Sequence, residues 1–263
     1  MATFLSLYSG SSGNCAVMGE NGRYLCVDMG KSCRAAVRGM EEAGISPDAL
    51  EGILITHEHS DHVSGLKVFL KRWPLPVYGS EATLAYLADH DMVPPTAQLC
   101  VLQQNGQEIA GFEVRSFHTS HDAADCRGYR VGFGSGRTLA MATDLGQVTD
   151  EVMEGLSGAD LVVLEANYDP VRLKMGPYPY YLKSRIASPR GHLCNRDAGE
   201  TLAALLRAGC ERFALCHLSQ ENNTPQLALQ AATESFLAAG ALPGSDGLLQ
   251  VLSRSKVSPA IQF

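Results

Sequence analysis

The sequence predicts an α/β (α+β) protein with sheets at its centre and helices outside. Three observations carry this. Short apolar runs such as "GILI" and "LVVLE" recur in both halves of the chain, at strand rather than helix length. Amphipathic stretches with cap residues stand between them. The chain has 263 residues, 45% of them hydrophobic, enough for a sizeable core with elements packed on both sides.

The elements follow in order. "TFLSLYS" (3–9), "CAVMGEN" (15–21) and "RYLCVDMG" (23–30) read as strands joined by Gly-rich turns into antiparallel hairpins. "SCRAAVRGMEEAG" (32–44) reads as a helix, with Ser32 as cap and Gly44 as stop. "LEGILIT" (50–56) is a buried strand. Residues 60–73 show helical spacing, with Val63, Leu66, Val68 and Leu70 able to share a broad face. A strand at "VYG" and a helix from Ser80 to Asp89 come next, and the segment 98–142 is rich in strands. "ADLVVLEAN" (159–167) and "RFALCHL" (212–218) read as buried strands. "NRDAGETLAALLRAG" is a helix capped by Asn195 and ended by Gly209. "TPQLALQAATESFLAAG" has Thr224 as cap, Pro225 at the first helical position and Gly240 past the end. No repeat, low-complexity tract or linker divides the chain, so residues 1–263 are expected to form one domain.

Composition narrows the function. The net charge is −7 and the pI about 5.6, which argues against indiscriminate binding to nucleic acid or acidic membrane but leaves room for a local basic site. No apolar run approaches the roughly 18 residues that span a bilayer, and no membrane partner is expected. The N-terminus lacks the basic region of a secretory signal. The eight cysteines form no C-x-x-C pair, and several sit in apolar strings. Buried reduced thiols and a cytoplasmic location follow.

The chemistry concentrates in "THEHSDH", Thr56 to His62, which holds three of the eight histidines directly after "GILI". His57 and His59 are two apart and point the same way in the extended exit from a strand. Asp61 and His62 fall in the first turn of the next helix and point elsewhere. One loop thereby offers two ligand pairs to two different metal ions. Imidazole and carboxylate donors suit zinc, manganese or iron(II) better than calcium. Further ligands stand at predicted strand ends: His118 and His121, Asp144 and His217. His192 precedes a helix. His90 reads as a surface residue.

These motifs resemble the metallo-β-lactamase superfamily over the whole chain. "THEHSDH" matches its H-x-H-x-D-H signature, and Asp28 in "LCVDMG" matches its early strand-end aspartate. "SSGNC", "HDA", "ATDLG", "GPYPYYLKSRI", "GHLCN" and "HLSQENNTP" resemble the YycJ/WalJ-type branch, bacterial hydrolases associated with 5′-to-3′ DNA exonuclease activity. The resemblance implies a four-layer αββα sandwich. It implies two divalent metal ions, one on His57, His59 and His121, the other on Asp61, His62 and His217, with Asp144 bridging and a water shared between them. "HDA" assigns the metal role to His121, with His118 the alternative on spacing alone. Asp28 would order the metal loop without binding metal. Asp61 would orient the water, and His192 would protonate the leaving oxygen or stabilise the transition state. The branch usually reads "GHLSN" where this chain has "GHLCN", so the hydrogen bond of that serine comes into question at Cys194.

Charge placement points to the substrate. Between Pro170 and Gly191 lie five basic residues, Arg172, Lys174, Lys183, Arg185 and Arg190, and no acidic one. Tyr178, Tyr180 and Tyr181 lie among them. Basic side chains hold phosphates and tyrosines stack on bases. Tyr178, Lys183 and Arg185 are therefore candidate substrate contacts, as are Asn14 in "SSGN" and Asn222 in "SQENN". The leading expectation is a phosphodiesterase acting on nucleic acid, DNA first, from an end. A thioester or other small-molecule hydrolase of the same fold competes with it, as does a metal-bound regulatory module without turnover.

Overall fold

The computed structural model describes residues 1–103 and 105–263; Gln104, inside the strand-rich segment 98–142, lies outside the described residues. The first half of the chain forms β1 (Thr3–Tyr8), β2 (Cys15–Glu20), β3 (Arg23–Val27), α1 (Cys33–Glu42), β4 (Leu50–Leu54), α2 (Ser60–Val63), α3 (Leu66–Arg72), β5 (Val77–Gly79), α4 (Glu81–Asp89) and β6 (Leu99–Val101). The second forms β7 (Gln107–Ile109), β8 (Phe112–His118), β9 (Arg127–Gly132), β10 (Thr138–Ala142), α5 (Asp150–Leu156), β11 (Leu161–Glu165), α6 (Pro170–Met175), α7 (Tyr180–Ile186), α8 (Asn195–Arg207), β12 (Arg212–Cys216), α9 (Pro225–Ala238), β13 (Leu248–Val251) and β14 (Ile261–Gln262).

One sheet has the order β14-β1-β2-β3-β4-β5-β6, the other β13-β12-β11-β10-β9-β8-β7. The β1–β2–β3 hairpins are antiparallel, as expected, and β3 to β6 run parallel. In the second sheet β7 to β10 alternate and β10 to β13 run parallel. The parallel runs bring the carboxyl ends of β3 and β4, and of β10, β11 and β12, each to one edge. β8 lies two antiparallel steps from β10, so it ends on the same side. The loops leaving such ends are where open sheets carry their sites.

Phe4, Met18, Leu25 and Leu54 of one sheet pack against Val114, Tyr129, Leu139 and Val163 of the other. Ala36, Met40, Phe69 and Leu87 join α1, α3 and α4 to the outer face of the first sheet. Val152, Leu202 and Phe236 join α5, α8 and α9 to the second. Four layers result, helix–sheet–sheet–helix, which is why the central strands read as near-continuous apolar runs. Burial of each such large side chain contributes roughly 1.5–3 kcal/mol. Among the described residues no helix is long and apolar enough to cross a membrane.

Two local readings differ from the structure. Residues 60–73 form two helices, because the Gly65 N–H leaves the helical ladder to bond the Met29 carbonyl at 2.9 Å. A Cβ on Gly65 would lie 1.9 Å from the Lys31 carbonyl oxygen. The buried face is Val63, Leu66, Phe69 and Leu70, and Val68 is exposed. The cap of α8 is Cys194, whose Sγ accepts from the Asp197 N–H at 3.5 Å, so the thiol stands in the place of a capping hydroxyl. Asn195 is the first helical residue and exchanges side-chain hydrogen bonds with Asn223. The basic stretch after Pro170 forms α6 and α7.

Candidate metal centre

Loop geometry places each donor. Asp28 follows β3 and adopts the left-handed region at φ 60°, which turns its carboxylate back over β4. There it accepts from the Thr56 N–H and hydroxyl, each at 2.9 Å, and from His62 Nδ1 at 2.8 Å. This fastens the start of "THEHSDH". Gly30 fastens its end: a Cβ there would stand 1.7 Å from the Asp61 carbonyl oxygen, so only glycine lets the two loops touch. Asp144 and His217 also take left-handed φ, 56° and 52°. Such residues cost about 1–3 kcal/mol each and persist where surrounding contacts over-determine them.

Three histidines, His57, His59 and His121, bring one donor atom each within 4.8 Å of one another, and so do Asp61, His62 and His217. Asp144 reaches both groups. Its Oδ2 is 3.2 Å from His62 Nε2, and its Oδ1 is 3.3 Å from His217 Nδ1 and 3.8 Å from His121 Nε2. Asp61 Oδ2 is 3.6 Å from both His62 Nε2 and His217 Nε2. His118 stands apart, exposed and paired with Glu151 at 2.9 Å. His90 stacks on Tyr86 at the surface.

The rings are oriented from behind. His57 Nδ1 lies 3.1 Å from the Thr56 hydroxyl, His62 Nδ1 faces Asp28, and His121 Nδ1 is 2.8 Å from the Gly191 carbonyl. His217 Nδ1 is 2.8 Å from Glu165 Oε1. Histidine ligands of metals are held in this way, one nitrogen tied and the other presented. The buried Nε2 atoms of His57 and His217 have no hydrogen-bond partner, as donors aimed at a cation would. This donor set fits divalent metal ions.

Residues 24–218 match the beta-lactamase superfamily domain. The chain belongs to the metallo-β-lactamase superfamily. Within it, the chain is 37% identical over 232 residues to the exodeoxyribonuclease YycJ of Bacillus anthracis, covering 88% of each. It is 33% identical over 225 residues to the exodeoxyribonuclease WalJ of Streptococcus pneumoniae serotype 2 strain D39, covering 84% of this chain and 83% of that one. The metallo-β-lactamase fold protein YhfI from Bacillus subtilis superposes with a TM-score of 0.74 over 98% of both chains at 18% identity.

Sequence reasoning missed Glu165. In this metallo-β-lactamase domain it is fully buried at the end of β11. Its Oε1 lies 2.8 Å from Nδ1 of both His192 and His217, and its Oε2 accepts the N–H groups of Leu145 and Leu193. A carboxylate closing an apolar strand was its signal, the signal that singled out Asp144. Asp122 was missed too. It follows His121 and ties Arg185 Nε at 2.7 Å. Two tentative substrate residues lie deeper than expected. Asn222 is fully buried and bonds Ser219, and Tyr178 is half-buried against Tyr168 and Leu173. Asn14 is buried with its amide 3.0 Å from His62 Nε2.

Charge divides the donors. Burial holds His57 well below the usual histidine range, and it lowers His121 as well. Burial also opposes a charged His62 and a charged His217. Asp144 and Asp28 nonetheless hold His62 well above its usual range, and Asp144, Asp61 and Glu165 push His217 up to about 10. The metal-free fold thus favours the neutral form of His57 and His121 and the charged form of His62 and His217. A cation requires their lone pairs, so binding displaces protons and affinity rises with pH. Calorimetric titration of stripped protein at neutral pH, in buffers of different ionisation enthalpy, is expected to show net proton release. Binding without proton release would contradict protonated His62 and His217.

Proposed function

We propose that the chain is a metal-dependent nuclease that hydrolyses phosphodiester bonds of DNA from a strand end. One observation carries the reading: two ligand groups share Asp144 at the foot of a basic, acid-free helical segment. The exodeoxyribonuclease names of the YycJ and WalJ relatives support it. Residues 1–263 act as one domain. All eight cysteines are free thiols, which suits a reducing cytoplasm.

His57, His59 and His121 would hold one ion and Asp61, His62 and His217 a second, with Asp144 within reach of both groups. Zinc or manganese suits these nitrogen and oxygen donors, as does iron(II). Divalent ions held there supply Lewis-acid polarisation of the phosphodiester and acidify water. Asp61, with its side chain 23% exposed, faces the opening and orients the attacking water by accepting a hydrogen bond from it. His192 sits beside the ligands with its side chain 21% exposed. Burial opposes its charge, but Glu165 raises its pKa. Glu165 thereby favours the protonated form, with Nδ1 tied to it and the other nitrogen free to protonate the leaving oxygen. Lys174 and Lys183 contact phosphates, and the exposed Tyr180 and Tyr181 stack on bases in place of the packed Tyr178. Arg185 is held against Asp122 and steadies the loop that carries His121. Asn14 steadies His62 and the Asp61 backbone.

The test is a substrate panel with metal-loaded protein: DNA and RNA labelled at either end, bis-p-nitrophenyl phosphate and a thioester. DNA shortened progressively from one end is the expected result. Thioester turnover without phosphodiester turnover would make the protein a small-molecule hydrolase, and metal binding without any turnover a regulatory module. In the same panel Lys183→Glu is expected to slow DNA cleavage more than cleavage of the small diester.

A further inference from the structure

A second basic surface lies outside α6 and α7. Residues 29–40 carry three basic side chains and no acidic one, and residues 247–263 carry two and none. The fold brings the two stretches together. Arg34, Arg38 and Lys256 line, with Tyr8, an open cleft of about 720 Å³, within the size range of ligand sites. Lys31 stands 5.7 Å above the Tyr8 ring and reaches the Ser12 hydroxyl at 3.2 Å. Arg38 is paired with Glu42 at 2.8 Å. Lys31, Arg34, Arg254 and Lys256 have no carboxylate partner among the described residues. Packing does not use these charges, since α1 buries Ala36, Gly39 and Met40 on its other face.

Contacts join this cleft to the metal centre. Ser12 lies two residues from Asn14, whose amide faces His62. Arg254 reaches Gln220 Oε1 at 3.0 Å, three residues past His217. The next residue, Glu221, offers its carbonyl to Arg172 of α6 at 3.4 Å. Cations therefore run in an arc from the α1 cleft, past the His217 side of the centre, to α6 and α7. Glu42, already paired with Arg38, Glu221 and the metal-centre residue Asp61 are acids beside it.

We propose that the cleft between α1 and the 254–257 turn is a second phosphate-binding site, which holds the polynucleotide strand several nucleotides away from the bond being cut. The proposal rests on the nuclease reading above. Surface cations without carboxylate partners gain affinity for a polyanion by releasing its counterions. A fragment held at the metal centre and α7 does not reach the cleft, whereas a longer strand engages both. Affinity and turnover then rise with strand length.

The experiment compares wild type with the double variant Arg34→Glu, Lys256→Glu, both positions being exposed. Fluorescence anisotropy in chelator measures binding of single-stranded oligothymidylates of roughly 5 and roughly 20 nucleotides. Wild type is expected to bind the longer strand at least ~10-fold tighter. The double variant should lose most of that advantage, and its salt dependence should fall by ~0.7 for each phosphate contact removed. Binding of the short strand, metal content and turnover of bis-p-nitrophenyl phosphate should stay as in wild type. An unchanged length advantage, or an equal loss on both lengths, would overturn the cleft while leaving the nuclease reading intact. Failure of wild type to bind or cleave either strand would overturn both.

Discussion

Asp144→Ala protein is expected to lose metal and, with it, turnover of DNA and of bis-p-nitrophenyl phosphate alike. The loss should exceed the roughly 10- to 100-fold that removal of a supporting partner costs at such sites. Among the described residues, Asp144 is the one carboxylate within reach of His62, His121 and His217 together. Burial disfavours its charge, yet His217 and His62 hold its carboxyl well below the usual range. Without it His62 and His217 keep only Asp28 and Glu165 on their Nδ1 atoms, and both ligand groups lose their shared oxygen donor. Asp144→Asn separates charge from shape, because asparagine tolerates the left-handed backbone. It too is expected to bind less metal. Metal analysis alongside turnover decides the matter: full occupancy in both variants would remove Asp144 as a shared ligand.

His192→Ala is expected to keep its metal and lose about 10²–10⁴ in DNA cleavage, the range for a positioned general acid. The loss should be much smaller for bis-p-nitrophenyl phosphate, whose leaving group departs without a proton. Geometry sharpens this test, since His192 shares a potential ligand cluster with Asp144, Glu165 and His217. If metal departs with the side chain, His192 is a ligand. If both substrates suffer equally, proton donation is not its role. Glu165→Gln should combine the two defects, because its carboxylate orients a ligand and the proposed acid at once.

The outline of this molecule was legible because its strands obey simple rules. Apolar runs bounded by glycine marked β1 to β4, β11 and β12, and cap residues marked α1, α4 and α9. The ligand loop announced itself by composition alone. What stayed hidden depended on contacts distant in sequence. The break between α2 and α3 is imposed by the 29–31 loop, which local spacing does not encode. Cys194 caps α8 because the segment after β11 pairs with residues 193–195 and fixes where the helix starts, and Asn195 looked the better cap by residue type. Glu165 looked like the polar end of a strand until two histidines from other elements closed on it. Strands as short as β7, β13 and β14 offer too few residues for a period to register.

Helix α7 buries none of its residues. It is joined to the rest of the molecule largely through its ends, where Ser188 to Gly191 meet Ser120 and His121 by backbone and hydroxyl contacts. An exchange of the exposed Tyr180, Tyr181 and Ser184 would therefore leave both sheets, every donor and the Arg185–Asp122 pair in place. On the nuclease reading proposed above, preference for one polymer over another can drift, or be grafted, on this scaffold at little expense to its thermal endurance.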